Sequence, residues 1–110
     1  MIDYDWEMRS VCAGFRAVAE RWGLSAPEVA RLLDVEVGTA EPLLRTGTTL
    51  TLSEAAETRL RLAIEVDRGL GLSGFDALVW LRLDGSPSRL ARMSASLDGM
   101  REVRREADGA

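Results

Sequence analysis

The chain has 110 residues, 46% of them hydrophobic and 29% charged, with a formal net charge of −4. That length suits one domain with a modest core, and that apolar fraction argues against a disordered chain. It has no His, Lys, Asn or Gln and one cysteine, Cys12, so the usual acid–base, metal and disulfide chemistries lack their residues, and the negative balance argues against a generic nucleic-acid binder.

Residues 3–22 predict an amphipathic helix. Tyr4, Met8, Val11, Phe15, Val18 and Trp22 recur at spacings of three and four, which places them on one face; Cys12 and Ala19 widen the stripe, while Arg9, Arg16, Glu20 and Arg21 fall off it. Trp6 and Trp22 read as core residues and Gly23 as the stop. Ser25-Ala26-Pro27-Glu28 has capping-box chemistry, because the Ser hydroxyl can accept from a first-turn N–H while Glu28 reaches back, and Pro27 needs no donor there. A second helix then runs to about Leu33. A third is expected from near Thr39 to a stop at Gly47, with Pro42 in its first turn. Thr51-Leu52-Ser53-Glu54 opens a fourth, expected to end near Leu70 at Gly69 or Gly71.

Ser73-Gly74-Phe75-Asp76 opens a fifth helix, with Phe75, Leu78, Val79 and Leu81 as its apolar positions. Asp84-Gly85-Ser86-Pro87 is a turn. The tail to about Ala107 reads as one or two helices with Leu90, Met93, Leu97, Met100 and Val103 on a stripe, and Gly99 is the weak point of a single helix. Strand alternation is confined to short fragments, so the expected fold class is all-α: a small bundle of five to seven helices, with a helix-turn-helix-like region over 1–50 and a second helical region over 51–110 in one compact unit.

The pair of short helices at 26–45 carries the helix-turn-helix signal. Val29, Ala30 and Leu33 fall on the buried side of the first helix, Ala30 being small enough for a close crossing. Asp34 stands in the turn and tolerates the left-handed conformation better than most residues. Val35 follows the turn, and Ala40 and Leu43 line the second helix. As a DNA reader the segment is poorly equipped: two arginines face four acids, a balance of −2, and the adenine-reading side chains Asn and Gln are absent from the chain. The candidate DNA contacts are Arg31, Thr39 and Arg45, and operator binding is expected only from a dimer or a larger complex.

From Arg82 to Arg105 the balance reverses to +3, from six arginines and three acids. Arg is favoured at interfaces, so this segment is the candidate docking surface, with Arg101, Arg104 and Arg105 expected to face outward. The acidic start also lacks the basic region of a secretory signal, and no apolar run approaches the roughly 18 residues of a membrane span; the expectation is a cytoplasmic protein.

An ordered set of motifs over about residues 11–107 resembles the Xre/MbcA/ParS family of bacterial antitoxins. These are Phe15, Trp22-Gly23-Leu24-Ser25, Glu28-Val29-Ala30-Arg31-Leu32-Leu33, Leu52-Ser53 with Glu57, Arg59 and Leu60, Ala77 with Trp80-Leu81-Arg82, then Gly85-Ser86-Pro87, Leu90, Gly99-Met100 and Val103-Arg104. The stretch between Trp80 and Pro87 is shorter than the family's usual loop. The resemblance implies a type II antitoxin that is no enzyme and holds no cofactor. It would bind a RES-domain toxin, obstruct that toxin's NAD site and repress the shared operon, as a homodimer or a larger complex with the toxin. It implies toxin contacts at Trp80, Arg82, Pro87, Arg89, Met100, Arg101, Arg104 and Arg105. The other readings are a helix-turn-helix transcriptional regulator without a toxin partner and a structural helical adaptor. On the toxin reading, deletion of 97–110 from a chain that stays folded is expected to abolish neutralisation.

Overall fold

A computed structural model of the protein describes residues 4–45, 52–73, 76–83 and 85–109, without the side chains of 4–6, 73 and 109. Every element among these residues is helical: α1 (Tyr4–Trp22), α2 (Ala26–Leu33), α3 (Val37–Leu43), α4 (Glu54–Ser73), a π-helical turn (Val79–Leu83), α5 (Arg89–Ala95) and α6 (Leu97–Gly109). The bundle is therefore all-α, as the periodicity predicts. The expected stop at Gly47, the start at Thr51, the turn residue Asp84, the Gly74-Phe75 segment and the side chains of Tyr4 and Trp6 lie outside the described residues.

The stripe of α1 holds, with Met8, Cys12, Phe15, Val18, Ala19 and Trp22 all buried. Gly23 ends the helix at φ +64, and the Leu24 N–H then donates to the Ala19 carbonyl at 2.9 Å. The capping box of α2 is complete: Ser25 Oγ accepts from the Glu28 N–H, and Glu28 Oε1 accepts from the Ser25 N–H at 2.9 Å. A salt-bridged staple ties α1 to α4, where Asp67 accepts from the Arg21 guanidinium and from Trp22 Nε1 at 3.0 Å.

Several boundaries differ from expectation, each for a packing reason. Helix α3 starts two residues early, at Val37, and Pro42 stands in its last turn rather than its first. Asp34, at φ 57 and ψ 51, closes α2 and reverses the chain at once, so helical backbone resumes right after Glu36. The missing Pro42 donor is tolerated because the carbonyl it would have served belongs to exposed Gly38. Helix α4 runs through Gly69 and Gly71 to Ser73. Gly69 marks a close contact: a Cβ there would lie 3.2 Å from Ala107 Cβ of α6 and 3.3 Å from its carbonyl carbon.

The tail breaks at Ser96, not at Gly99. Ser96 adopts extended backbone at φ −162 and ψ 159, and its Oγ accepts from the Gly99 N–H at 2.9 Å, which caps α6. Gly99 is buried where a side chain would run into the Arg92 carbonyl, so it is the point at which α6 crosses α5. Leu78, Val79 and Leu81 do not share one face. Trp80 and Leu81 are buried, whereas Leu78 and Val79 are 45% and 50% exposed. The i→i+5 pairing of a π turn rotates each residue less than the 3.6-residue template assumes, so the expected face is displaced.

The core is one continuous cluster drawn from α1, α2, α3, α4, the π-helical turn, α5 and α6. Helix α4 packs most extensively against α6, α5 pairs with α6, and α2 lies against α3 and α5. No described helix is long and apolar enough to cross a membrane.

Candidate interaction surfaces

The candidate residues of the C-terminal half divide into an inner set and an outer set. Arg82, at the end of the π-helical turn, is an internal clamp. Its Nε donates to the Trp22 carbonyl at 3.0 Å and its Nη2 to the Gly23 carbonyl at 2.9 Å, the two groups left open by the end of α1. The same guanidinium grips Glu28 of α2 through both carboxylate oxygens, at 2.8 and 2.9 Å. That grip, helped by the Ser25 N–H and opposed by desolvation, holds the Glu28 carboxyl down from 4.5 to about 2, and Arg82 rises above its ordinary value for the same reason. One side chain thus locks the π-helical turn to both the end of α1 and α2.

Arg89 is also internal. Its Nη1 donates to the Trp80 carbonyl at 3.0 Å, its Nε donates to Glu106 at 3.1 Å, and its guanidinium carbon lies 4.1 Å from the Trp80 ring centroid. Arg92 joins from α5, donating to Glu106 at 2.7 Å and to Glu102 at 3.2 Å. The hydrogen bond from Arg92, with that from Arg89, holds the Glu106 carboxyl below the usual range. Trp80 is 8% exposed and Met100 fully buried. Trp80, Arg82, Arg89 and Met100 therefore organise the bundle from within. Pro87 is exposed in the turn before α5.

The outer set lies on α6. Met100, Val103 and Ala107 point into the core, and the helical period turns Arg101, Arg104 and Arg105 to solvent, as expected. Arg101 reaches Asp98 at 3.8 Å; Arg104 reaches Glu65 of α4 at 3.3 Å and Asp108 at 3.9 Å. Arg105 has no ion pair among the described residues. Pairs this exposed cost little to exchange for a partner's carboxylate.

Helices α2 and α3 are joined by a tight turn, with Val29, Ala30, Leu33, Ala40 and Leu43 buried and Asp34 left-handed. Its three candidate DNA contacts are dispersed. Arg45 is exposed just past α3, and Thr39 is half-buried with its N–H donated to Glu36. Arg31 instead lines an open groove of about 460 Å³ between α2 and α5, together with Glu28, Arg82, Leu90, Ala91 and Ala95. The exposed surface of α3 carries Glu36, Val37, Gly38 and Glu41. Sequence reasoning missed this groove. Its one visible signal is the run of small residues Ser88, Ala91 and Ala95 at helical spacing, opposite the buried Leu90 and Met93.

The chain matches no family model and no curated protein.

Proposed function

We propose that the protein is an interaction protein of the antitoxin class, which binds a RES-domain toxin through the outer face of α6 and blocks the toxin's NAD site. The observation that carries this reading is the outward-facing set of Arg101, Arg104 and Arg105, interleaved with the exposed acids Asp98, Glu102 and Asp108, on a helix pinned from behind by Met100, Val103 and Ala107. Such a helix presents planar, fork-shaped cations on a rigid support, and little ordering is left to do on binding. The ordered motifs that resemble the Xre/MbcA/ParS antitoxins support the same reading. The helix-turn-helix supports a second role in repressing the operon, with the acidic outer surface of α3 calling for a dimer or the toxin complex to bring enough cations to DNA.

The test is co-expression with the product of the neighbouring gene. The two proteins are expected to co-purify, and the chain to restore growth to cells producing that protein. Replacing Arg101, Arg104 and Arg105 together by Glu is expected to abolish both while the helical circular dichroism spectrum is kept. A neighbouring product that neither binds the chain nor harms the cell overturns the toxin reading, and tight, salt-dependent operator binding by the chain alone would then favour a transcriptional regulator. Full rescue by the folded triple variant overturns the assignment to α6.

A further inference from the structure

We infer that the groove between α2 and α5 is a second docking slot, which receives a carboxylate-bearing helical segment of the protein partner. It rests on the reading above only in taking the toxin as that partner. The groove measures about 460 Å³ and is lined by Glu28, Arg31, Arg82, Ser88, Leu90, Ala91, Ser94 and Ala95.

Its charges are unequal in availability. Glu28 and Arg82 satisfy one another through two hydrogen bonds, and Arg82 gives its remaining contacts to the Trp22 and Gly23 carbonyls. Arg31 has no ion pair among the described residues, so the slot carries one uncompensated cation at its α2 edge. The opposite wall is small: Ala91 and Ala95 are exposed, and Leu90 forms an apolar floor at 9% exposure. A wall without bulk admits a second helix at close range, and a lone guanidinium beside it selects an acidic side chain on that helix.

The same features disfavour nucleic acid. A phosphate backbone entering the slot would meet the Glu28 carboxylate and the apolar floor, with only one free cation to offset them. The slot is lined by residues of α2, the π-helical turn, α5 and the turn before it, and none of the α6 arginines lines it. A partner engaging both would reach α2, α5 and α6 together, and the Arg82–Glu28 clamp fixes the π-helical turn against the α2 wall of the slot.

The experiment measures binding of the full-length chain to the co-expressed toxin, with two variants that leave the core alone. Ala91→Trp fills the slot, and Arg31→Glu reverses its cation. Each is expected to weaken toxin binding at least tenfold while circular dichroism and thermal unfolding stay as in the unchanged chain, and Arg31→Lys is expected to retain most of the affinity. Wild-type affinity in both folded variants, alongside loss of binding in the α6 triple variant, overturns the slot and leaves the toxin reading standing. No binding by the unchanged chain overturns both. A salt-dependent affinity for duplex DNA that Arg31→Glu removes, with toxin binding intact, overturns the slot in favour of nucleic acid.

Discussion

The Arg82 guanidinium makes four hydrogen bonds, two to carbonyls at the end of α1 and two to the Glu28 carboxylate. Hydrogen bonds to a charged group contribute about 1.5–3 kcal/mol, so Arg82→Ala is expected to destabilise the protein by about 2 kcal/mol, measured by urea unfolding at neutral pH. The variant also has a pH signature. Glu28 sits at about 2 in the folded protein against an ordinary 4.5. A carboxyl depressed on folding adds stability that is present above the ordinary value and is lost as pH falls from 4.5 toward 2. Without Arg82 the Glu28 carboxyl moves back toward its ordinary value, so the loss of stability between neutral pH and pH near 3 is expected to shrink. An unchanged acid limb in Arg82→Ala would show that the clamp does not set it. The residue type was legible in the sequence, since an arginine after Trp80-Leu81 invites a role. Its inward direction was not, because the partner that captures it lies 54 positions away.

At the scale of elements, glycine separates what local chemistry decides from what packing decides. Gly23 and the Ser25 box act on their own backbone, so α1's end and α2's start could be read directly. Gly69 and Gly99 could not, because each lies where another helix comes close, at Ala107 of α6 and Arg92 of α5, and Gly71 meets no such neighbour yet does not stop α4. Two substitutions test the distinction. Gly71→Ala adds a Cβ with nothing within 4 Å, inside α4, and is expected to stabilise by up to about 1 kcal/mol through helix propensity. Gly99→Ala is equally helical but would press on the Arg92 carbonyl, and is expected to destabilise by about 2 kcal/mol despite the gain in propensity. Thermal melts of the two variants should therefore shift in opposite directions, and a rise for both would mean that α5 and α6 do not cross this closely. The π-helical turn escaped the sequence for another reason. A template of 3.6 residues per turn assigns Leu78, Val79 and Leu81 inward; Leu81 is buried as expected, while the wider turn brings in Trp80 and leaves Leu78 and Val79 half-exposed.

For the molecule as a whole, the helix that carries the proposed contact also completes the core. Met100, Val103 and Ala107 of α6 are fully buried, Ala107 lies against Gly69, and Glu106 anchors Arg89 and Arg92. The stripe was visible in the sequence, but whether it faced the bundle or a partner depended on the long-range pairing of α4 with α6. Burial of a side chain such as Met or Val contributes roughly 1.5–3 kcal/mol, and a domain holds only about 5–15 kcal/mol in all. Removing 97–110 takes away Met100 and Val103 and uncovers Met93, so the loss is comparable with the whole stability. The chain ending at residue 96 is therefore expected to lack a cooperative thermal transition, measured by circular dichroism, and the condition that a deleted chain stays folded is not met. Reversing Arg101, Arg104 and Arg105 removes exposed pairs, each contributing at most about 1 kcal/mol, and sets like charges against Asp98, Glu65 and Asp108, so it is expected to lower the midpoint by several degrees while the transition stays cooperative. A sharp, native-like melt of the truncated chain would show that α6 is an appendage, and would return deletion to use as the direct test of neutralisation.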